Sequence, residues 1–286
     1  FAKLIAAIAI TFSVFQIYTA GFGTLDAMLQ RAVHLAFALC LIFLLYPART
    51  SWPRDKIHPI DVVFAILGAA APMYIVIFYQ DLVRRAGLVT TTDYIIGIIA
   101  ILLILDAVRR VVGLPMVCVA VAFIAYALFG RQLPGALAHR GTDLPTLVQH
   151  LFYTTEGIFG IPLGVSSTFI FLFILFGAFL EKTGLGQLFI DLSNAVAGWA
   201  AGGPAKVAVI ASALEGTVSG SSVANTAGSG SFTIPMMKKL GYNPEFAGAV
   251  EATASTGGQL MPPIMGAAAF LMSEFIGEPY FRIVIA

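Results

Sequence analysis

The chain has 286 residues, 59% of them hydrophobic and 11% charged, with a formal net charge of +1 and a mean hydropathy of +0.91. That balance excludes a soluble domain of this length and gives no electrostatic footprint for nucleic acid. The two cysteines, Cys40 and Cys118, lie inside apolar runs, which gives neither a disulfide framework nor a metal-ligand spacing.

Apolar runs at 4–22, 32–46, 60–79, 93–108, 114–129 and 162–180 each have the length to cross a hydrocarbon core about 30 Å thick. They read as helices, because the alternation of a transmembrane β-barrel is missing. The first run is flanked by a single lysine, Lys3, and has no clear cleavage site, so it reads as a span and not as a signal peptide. The chain opens on Phe1 and closes inside a further apolar run, Phe281–Ala286, so a piece of a longer protein is expected.

With the N-terminus cytoplasmic, Lys3, Arg49, Arg54, Lys56, Arg109, Arg110, Lys182, Lys206, Lys238 and Lys239 fall on the cytoplasmic side. Arg31, Arg84, Arg85, Arg131, Arg140 and Arg282 fall on the other, a bias of ten against six. The polar stretch Arg131–Gly141 divides plain hydrophobic helices before it from a region richer in Gly, Ser, Thr and Pro after it.

Two amphipathic surface helices are expected in that second region. Near Asp143–Phe159, Asp143 is the N-cap before Pro145, and Leu147, Val148, Leu151 and Phe152 form an apolar stripe. In Gly184–Ala200, Leu185, Leu188, Phe189, Leu192, Val196 and Trp199 share a face.

Between Lys206 and Lys238-Lys239 an unbroken helix would measure about 50 Å, too long for one crossing, while the arms Val207–Ser219 and Val223–Met237 would reach only about 20 Å each. A re-entrant hairpin over about 206–239 satisfies both lengths and places Ser219-Gly220-Ser221-Ser222 and Asn225-Thr226 at its tip. A second interruption follows at about 245–275. Gly257-Gly258 and Pro262-Pro263 divide it into half-helices Glu245–Thr256 and Ile264–Phe275, since paired prolines cannot sit in a continuous helix.

Two polar breaks at similar depth point to one site built from both. Hydroxyls, amides and freed carbonyls suit a monovalent cation such as sodium, and half-helix N-termini suit a carboxylate beside it. Ser219, Gly220, Ser222, Asn225, Thr256, Gly257 and Gly258 are the candidate ion-binding residues; Ser221, Ser222, Asn225, Thr226, Gln259 and Pro262 are the candidate substrate-binding residues. The competing reading of Gly216, Gly220 and the serines is a small-residue packing face between helices. Glu215 and Glu251 are intramembrane acids and hence candidate proton-coupling groups. With no nucleophile–base pairing, P-loop or redox motif, an enzyme or an ATP-driven pump has no support, and no cofactor is expected.

Five ordered motifs carry a family resemblance: Thr154-Thr155-Glu156-Gly157-Ile158-Phe159-Gly160-Ile161-Pro162-Leu163-Gly164-Val165, Gly203-Pro204-Ala205-Lys206-Val207-Ala208-Val209, Ser219-Gly220-Ser221-Ser222-Val223-Ala224-Asn225, Phe246-Ala247-Gly248-Ala249-Val250-Glu251, and Ala254-Ser255-Thr256-Gly257-Gly258-Gln259-Leu260-Met261-Pro262-Pro263. In these the chain resembles permeases of tripartite ATP-independent periplasmic (TRAP) transporters, of the fused kind that works with TAXI-type binding proteins. The resemblance is strong from about 130 to 286 and one of pattern before that.

It implies an all-α membrane protein of the elevator type. Residues 1–130 would form small-subunit-like scaffold helices plus a linking helix, 131–200 a scaffold span with amphipathic arm helices, and 201–286 half of a transport domain. It further implies sodium-driven import of a small organic acid, of the C4 or C5 dicarboxylate class, handed over by a periplasmic binding protein at the bacterial inner membrane. Glu215 stands where an apolar residue is expected, which keeps a proton-coupled version open beside the sodium-driven one. The remaining alternative is an uncoupled scaffold or channel-like protein.

Overall fold

A computed structural model describes residues 2–49, 58–85 and 88–286, and among these every regular element is helical. Arg54 and Lys56 of the orientation count lie outside the described residues. The chain divides into two compact units, Phe1–Ser167 and Thr168–Ala286.

The first unit holds α1 (Ala2–Phe22), α2 (Ala27–Leu45), α3 (Pro59–Ile77), α4 (Tyr79–Arg84), α5 (Thr91–Val111), α6 (Leu114–Phe129), α7 (Leu144–Tyr153) and α8 (Ile161–Val165). Among the described residues, five segments are long and apolar enough to cross a membrane: α1, α2, α3, Leu114–Gln132 and Ile161–Leu180. The sixth expected span, α5, forms a helix of 21 residues with Asp93, Asp106, Arg109 and Arg110 towards its ends.

Lipid tails are as apolar as leucine, so helices in a membrane are held by close contact and polar links more than by expulsion from water. Both are present. A Cβ on Gly68 of α3 would come within 2.8 Å of the Phe43 ring of α2, so the glycine lets that ring seat fully buried. Gly97 of α5 does the same for Val148 of α7. The α7 stripe therefore packs inward, with Leu147, Val148 and Phe152 all buried against the unit; it is a docked helix and not a loose surface one.

Polar links complete this unit. The Arg110 guanidinium bonds Asp61 at 2.6 Å and Asp106 at 2.7 Å and lies against the rings of Phe43 and Phe64, 4.8 and 5.3 Å from their centres. Asp106 also pairs with Arg109, so the helix-end pairing the sequence suggests becomes a four-member network. Thr90 and Asp93 form a capping box that starts α5, and Asp93 is further held by Tyr74 and Arg85. A buried chain of amides and imidazole joins α1, α2 and the residues after α8. Gln16 and His34 are 2.5 Å apart, His34 reaches Ser166 at 3.2 Å, and Gln30 donates to Ser167 O at 3.2 Å.

The second unit begins at Thr168, within a π-helical turn, Ser166–Ile170, that leads into α9 (Phe171–Lys182). Then come α10 (Leu185–Ala197), α11 (Gly203–Ser219), α12 (Ser222–Gly228), α13 (Gly230–Lys239), α14 (Pro244–Gly257), α15 (Ala267–Ile276) and α16 (Tyr280–Ile285). In α10 the side turned to α11 is the small one, Ile190, Ser193 and Ala197. Leu188, Leu192, Val196 and Trp199 remain exposed, with Trp199 at 85%, as an interfacial helix requires.

Candidate functional site

The core of the second unit is a helical reversal clasped by an interrupted helix. Pro204 near the start of α11 tolerates its missing N–H there, and the helix runs until Gly220 takes a left-handed conformation (φ 58°). A Cβ at Gly220 would lie 2.0 Å from the Met265 carbonyl oxygen, so only glycine fits between the reversal and the break. Ser221 then caps α12, accepting from the Ala224 N–H at 3.3 Å. Ser229 keeps helical backbone angles between α12 and α13, and the returning arm ends at Lys238-Lys239.

The interrupted helix starts with Asn243 capping α14 and Pro244 following it. After Gly257 a 3₁₀ turn, Gly258–Leu260, leads to a cis Pro262–Pro263 bond and to Met265 at φ 57°. The second half-helix, α15, begins at Ala267, three residues beyond the expected Ile264. The shift has a visible cause. Ile264 N donates to Thr217 O at 3.3 Å and Gly266 N to Gln259 O at 2.7 Å, so these backbone groups are spent on the reversal and the break and not on a helix.

The two breaks are brought together. Gln259 Nε2 donates to Ser222 Oγ at 3.1 Å, and a Cβ on Gly258 would strike the Asn225 amide nitrogen. Asn225 is fully buried; its Oδ1 accepts from Ser219 Oγ, and its Nδ2 donates to Ser212 O at 3.4 Å. Ser219 Oγ also accepts from Ser221 N at 3.2 Å. Neutral oxygens of α11, α12 and the break thus crowd one reversal, a donor set that suits an alkali cation better than a transition metal.

Other expected residues lie elsewhere. Thr256 is exposed and bonds back to Ala252 O at 2.8 Å, so it does not join Ser219 and Asn225. Gly257 is exposed and lines an apolar groove of about 580 Å³ between α11 and α14. Thr226 bonds to Ser222 O at 2.8 Å, and Pro262 is exposed in the cis pair.

The chain matches the family model of the tripartite ATP-independent periplasmic transporter, DctM component, over residues 99–286. It belongs to that family.

Among relatives, the C4-dicarboxylate TRAP transporter large permease protein DctM of Vibrio cholerae is 33% identical over 168 residues, 58% of this chain and 33% of that protein. The isethionate TRAP transporter permease protein DctMQ of Oleidesulfovibrio alaskensis is 27% identical over 225 residues, 72% of this chain and 33% of that protein. That share is too large to fit within residues 99–286, so the likeness reaches the preceding helices, and the chain is a fused TRAP permease. The 2,3-diketo-L-gulonate TRAP transporter large permease protein YiaN of Escherichia coli is 31% identical over 91 residues, 32% of this chain and 21% of that protein. The chain thus spans about a third or less of these relatives, and no solved structure matches it. TRAP permeases are multi-pass inner-membrane proteins and not enzymes.

Glu215 and Glu251, the two acids of the permease's second unit singled out in sequence, have different surroundings. Glu215 is half-buried on α11, with a carboxyl oxygen only 2.0 Å from where a Cβ on Gly228 would stand. Glu251 is fully buried on α14 and held by hydroxyls: Ser229 at 2.6 Å, Ser255 at 3.1 Å, and Thr233, with Ser212 behind Ser255 at 3.0 Å. Among the described residues no lysine or arginine pairs with it. Ser212, Ser229 and Thr233 were not among the residues read from sequence. Their signal was there: Asn225, Ser229 and Thr233 follow each other at four-residue steps on one helical face, as do Glu251 and Ser255.

Proposed function

We propose that this TRAP permease imports a small carboxylate of the C4 or C5 dicarboxylate class across the inner membrane, by an elevator-type movement driven by a sodium gradient. A periplasmic binding protein of the TAXI type delivers the substrate. The observation that carries the reading is the meeting of the two chain breaks: Thr217 O binds Ile264 N at 3.3 Å and Ser222 Oγ binds Gln259 Nε2 at 3.1 Å. Irregular backbone at membrane depth is stable only when buried in protein or facing a wet cavity, and paired interruptions are how secondary transporters expose backbone dipoles to an ion and an anion. Ser219, Asn225 and the Gly220 and Gly258 backbone hold the cation. Ser221 and Gln259 line the carboxylate side, with Ser222 holding Gln259 in place. The Vibrio cholerae relative, a C4-dicarboxylate TRAP transporter permease, supports the substrate class, and the ordered motifs between Thr154 and Pro263 support the TAXI partner.

A second reading, proton coupling, is favoured by one observation: Glu251 is buried among hydroxyls with no cation partner among the described residues.

The test is uptake of labelled succinate and 2-oxoglutarate into liposomes holding the full-length permease with its binding protein, under sodium and proton gradients imposed separately. Saturable uptake against a concentration gradient under sodium alone is expected. Uptake under protons alone transfers the coupling role to Glu251. Flux that needs neither gradient and never accumulates substrate leaves an uncoupled channel-like protein.

A further inference from the structure

We infer that Glu251 is a proton-loading site, operated by hydroxyl rotors on the hairpin's returning arm and linked through Asn225 to the reversal. The inference rests on reading that reversal as the transport site.

A carboxyl group sealed from water needs hydrogen-bond partners in both of its protonation states, or one state leaves a costly unpaired group. The Glu251 cage meets that need, because each hydroxyl around it has a second acceptor within reach. Ser229 Oγ lies 2.6 Å from Glu251 Oε1 and 2.8 Å from Asn225 O. Thr233 Oγ1 bonds Glu251 Oε2 and lies 3.0 Å from Ser229 O. Ser255 Oγ lies 3.1 Å from Glu251 Oε1 and 3.0 Å from Ser212 Oγ.

Each of these hydroxyls carries one hydrogen and chooses between two directions. With the carboxylate ionised, Ser229, Ser255 and Thr233 all donate to it, and Ser212 donates to Ser255. When a proton from water binds Oε2, that oxygen becomes the donor to Thr233 Oγ1, and the Thr233 hydrogen turns to Ser229 O. Loading or release therefore costs one hydroxyl rotation and no movement of backbone. The helix carbonyls that receive the turned hydrogens already accept their own helical N–H bonds, Ser229 N to Asn225 O and Thr233 N to Ser229 O, both at 2.9 Å. They lose nothing when the rotor turns away.

Among the described residues, the hydrogen-bond partners and close neighbours given to Glu251 by the elements packed on it are neutral: Ser229, Gly230 and Thr233 from the returning arm, with Ser212 of α11 behind Ser255. The other acid of this unit nearest in sequence to the arm contacts, Glu215, has its carboxyl against Gly228. Asn225 closes the link. Its carbonyl faces the Ser229 rotor, while its side chain binds Ser219 and Ser212 O, so the same residue touches the cage and the reversal.

The test reconstitutes the full-length permease and its binding protein in liposomes enclosing a pH-sensitive dye, with succinate and 2-oxoglutarate as probes. The expected result is that sodium-driven substrate entry also carries protons, seen as an internal pH change that is lost in Glu251→Gln, while exchange of labelled substrate across the membrane persists. Substrate uptake by the unaltered permease with no pH change, or a pH change that survives in Glu251→Gln, overturns the inference and leaves the transport reading intact. Neither uptake nor exchange by the unaltered permease removes the transport reading, and the inference with it. Thr233→Val keeps the side-chain shape and deletes one rotor. It is expected to shift the pH profile of uptake in a permease that still folds, at a melting temperature lowered by the lost hydrogen bond to the buried carboxyl, and an unshifted profile overturns the rotor mechanism even where Glu251→Gln fails to fold.

Discussion

Gly216 of α11 and Gly258 of the break meet backbone to backbone. A Cβ added to Gly216 would stand 2.3 Å from Gly258 Cα, and one added to Gly258 would stand 3.0 Å from Gly216 Cα and 2.2 Å from the Asn225 amide nitrogen. This contact lets the first half-helix end directly on the hairpin and holds Asn225 against the break. Alanine at either position forces two backbones apart, which costs about 1–3 kcal/mol as overpacking does elsewhere. Gly258→Ala is expected to impair uptake more than Gly216→Ala at a similar loss of melting temperature, because it alone also displaces Asn225. Melting curves of the purified full-length permease beside uptake rates check this; equal uptake in both variants would refute the difference.

Asn225 makes the prediction at the reversal itself. Its side chain accepts from Ser219 and donates to Ser212 O from a fully buried position. Asn225→Ala removes both of these hydrogen bonds from a fully buried position, at a cost of about 1–3 kcal/mol. Asn225→Asp keeps the shape but brings two acceptors where a donor is required. Both are expected to abolish accumulation, whereas Thr256→Ala, on the exposed side of α14, is expected to leave it within about twofold of the parent. A Thr256→Ala variant as inactive as Asn225→Ala would restore Thr256 to the ion set.

What could be read beforehand divides along a physical line. Span positions, the hairpin and the broken helix follow from length against membrane thickness and from Gly-Gly and Pro-Pro placement, all of which are local. The start of α15 at Ala267 was not legible, because Ile264 N is captured by Thr217 O, 47 residues earlier, and Gly266 N by Gln259 O across the break. The hydroxyl cage of Glu251 was half legible: the acid stands out in a membrane segment, but Ser229 and Thr233 acquire meaning only once the returning arm is laid on α14. The inward docking of α7 depends on Gly97, a residue that in sequence is merely a gap in an apolar run.

In the first unit, Arg110 and Asp61 are buried partners, with side chains 1% and 4% exposed. Removing one charge strands the other away from water, and breaking a buried pair costs about 3–5 kcal/mol. Asp61→Asn is expected to fall somewhat short of that, since Asp106 still holds Arg110. Arg110→Lys is expected to be no milder, because an ammonium cannot span Asp61, Asp106 and the Tyr46 carbonyl as a planar guanidinium does. Denaturation midpoints of the two variants decide this; a lysine variant as stable as the parent would show that charge alone suffices.

Tyr153, at the end of α7, donates to Asp93 O at 2.7 Å. Burial first, and the Asp93 charge second, push its hydroxyl up from the usual phenol range. The folded protein therefore holds this proton more tightly than the unfolded chain does. The associated stability is fully present at neutral pH and is lost as pH rises above about 10, where the unfolded phenol ionises. Melting temperature is expected to be flat through the neutral range and to fall in the alkaline range, with a shallower alkaline fall in Tyr153→Phe. Identical alkaline slopes in parent and variant would remove Tyr153 from that transition.

The last prediction concerns the clasp between Ser222 and Gln259. Both residues are in reach of solvent, so their 3.1 Å hydrogen bond contributes only about 0.5–1.5 kcal/mol to folding. Its value lies in position, since it ties the first turn of α12 to the 3₁₀ turn after α14. A carboxylate that inserts between them takes the Gln259 hydrogen now given to Ser222, and the bond is then a latch that substrate replaces. Ser222→Ala removes the latch and leaves Gln259 free to bind; Gln259→Ala removes the donor itself. Ser222→Ala is therefore expected to lower the half-saturating substrate concentration or leave it unchanged, and Gln259→Ala to raise it, with melting temperatures of both near the parent. Equal losses of affinity in the two variants would mean that the pair acts as a fixed brace, and that the carboxylate binds elsewhere on the reversal.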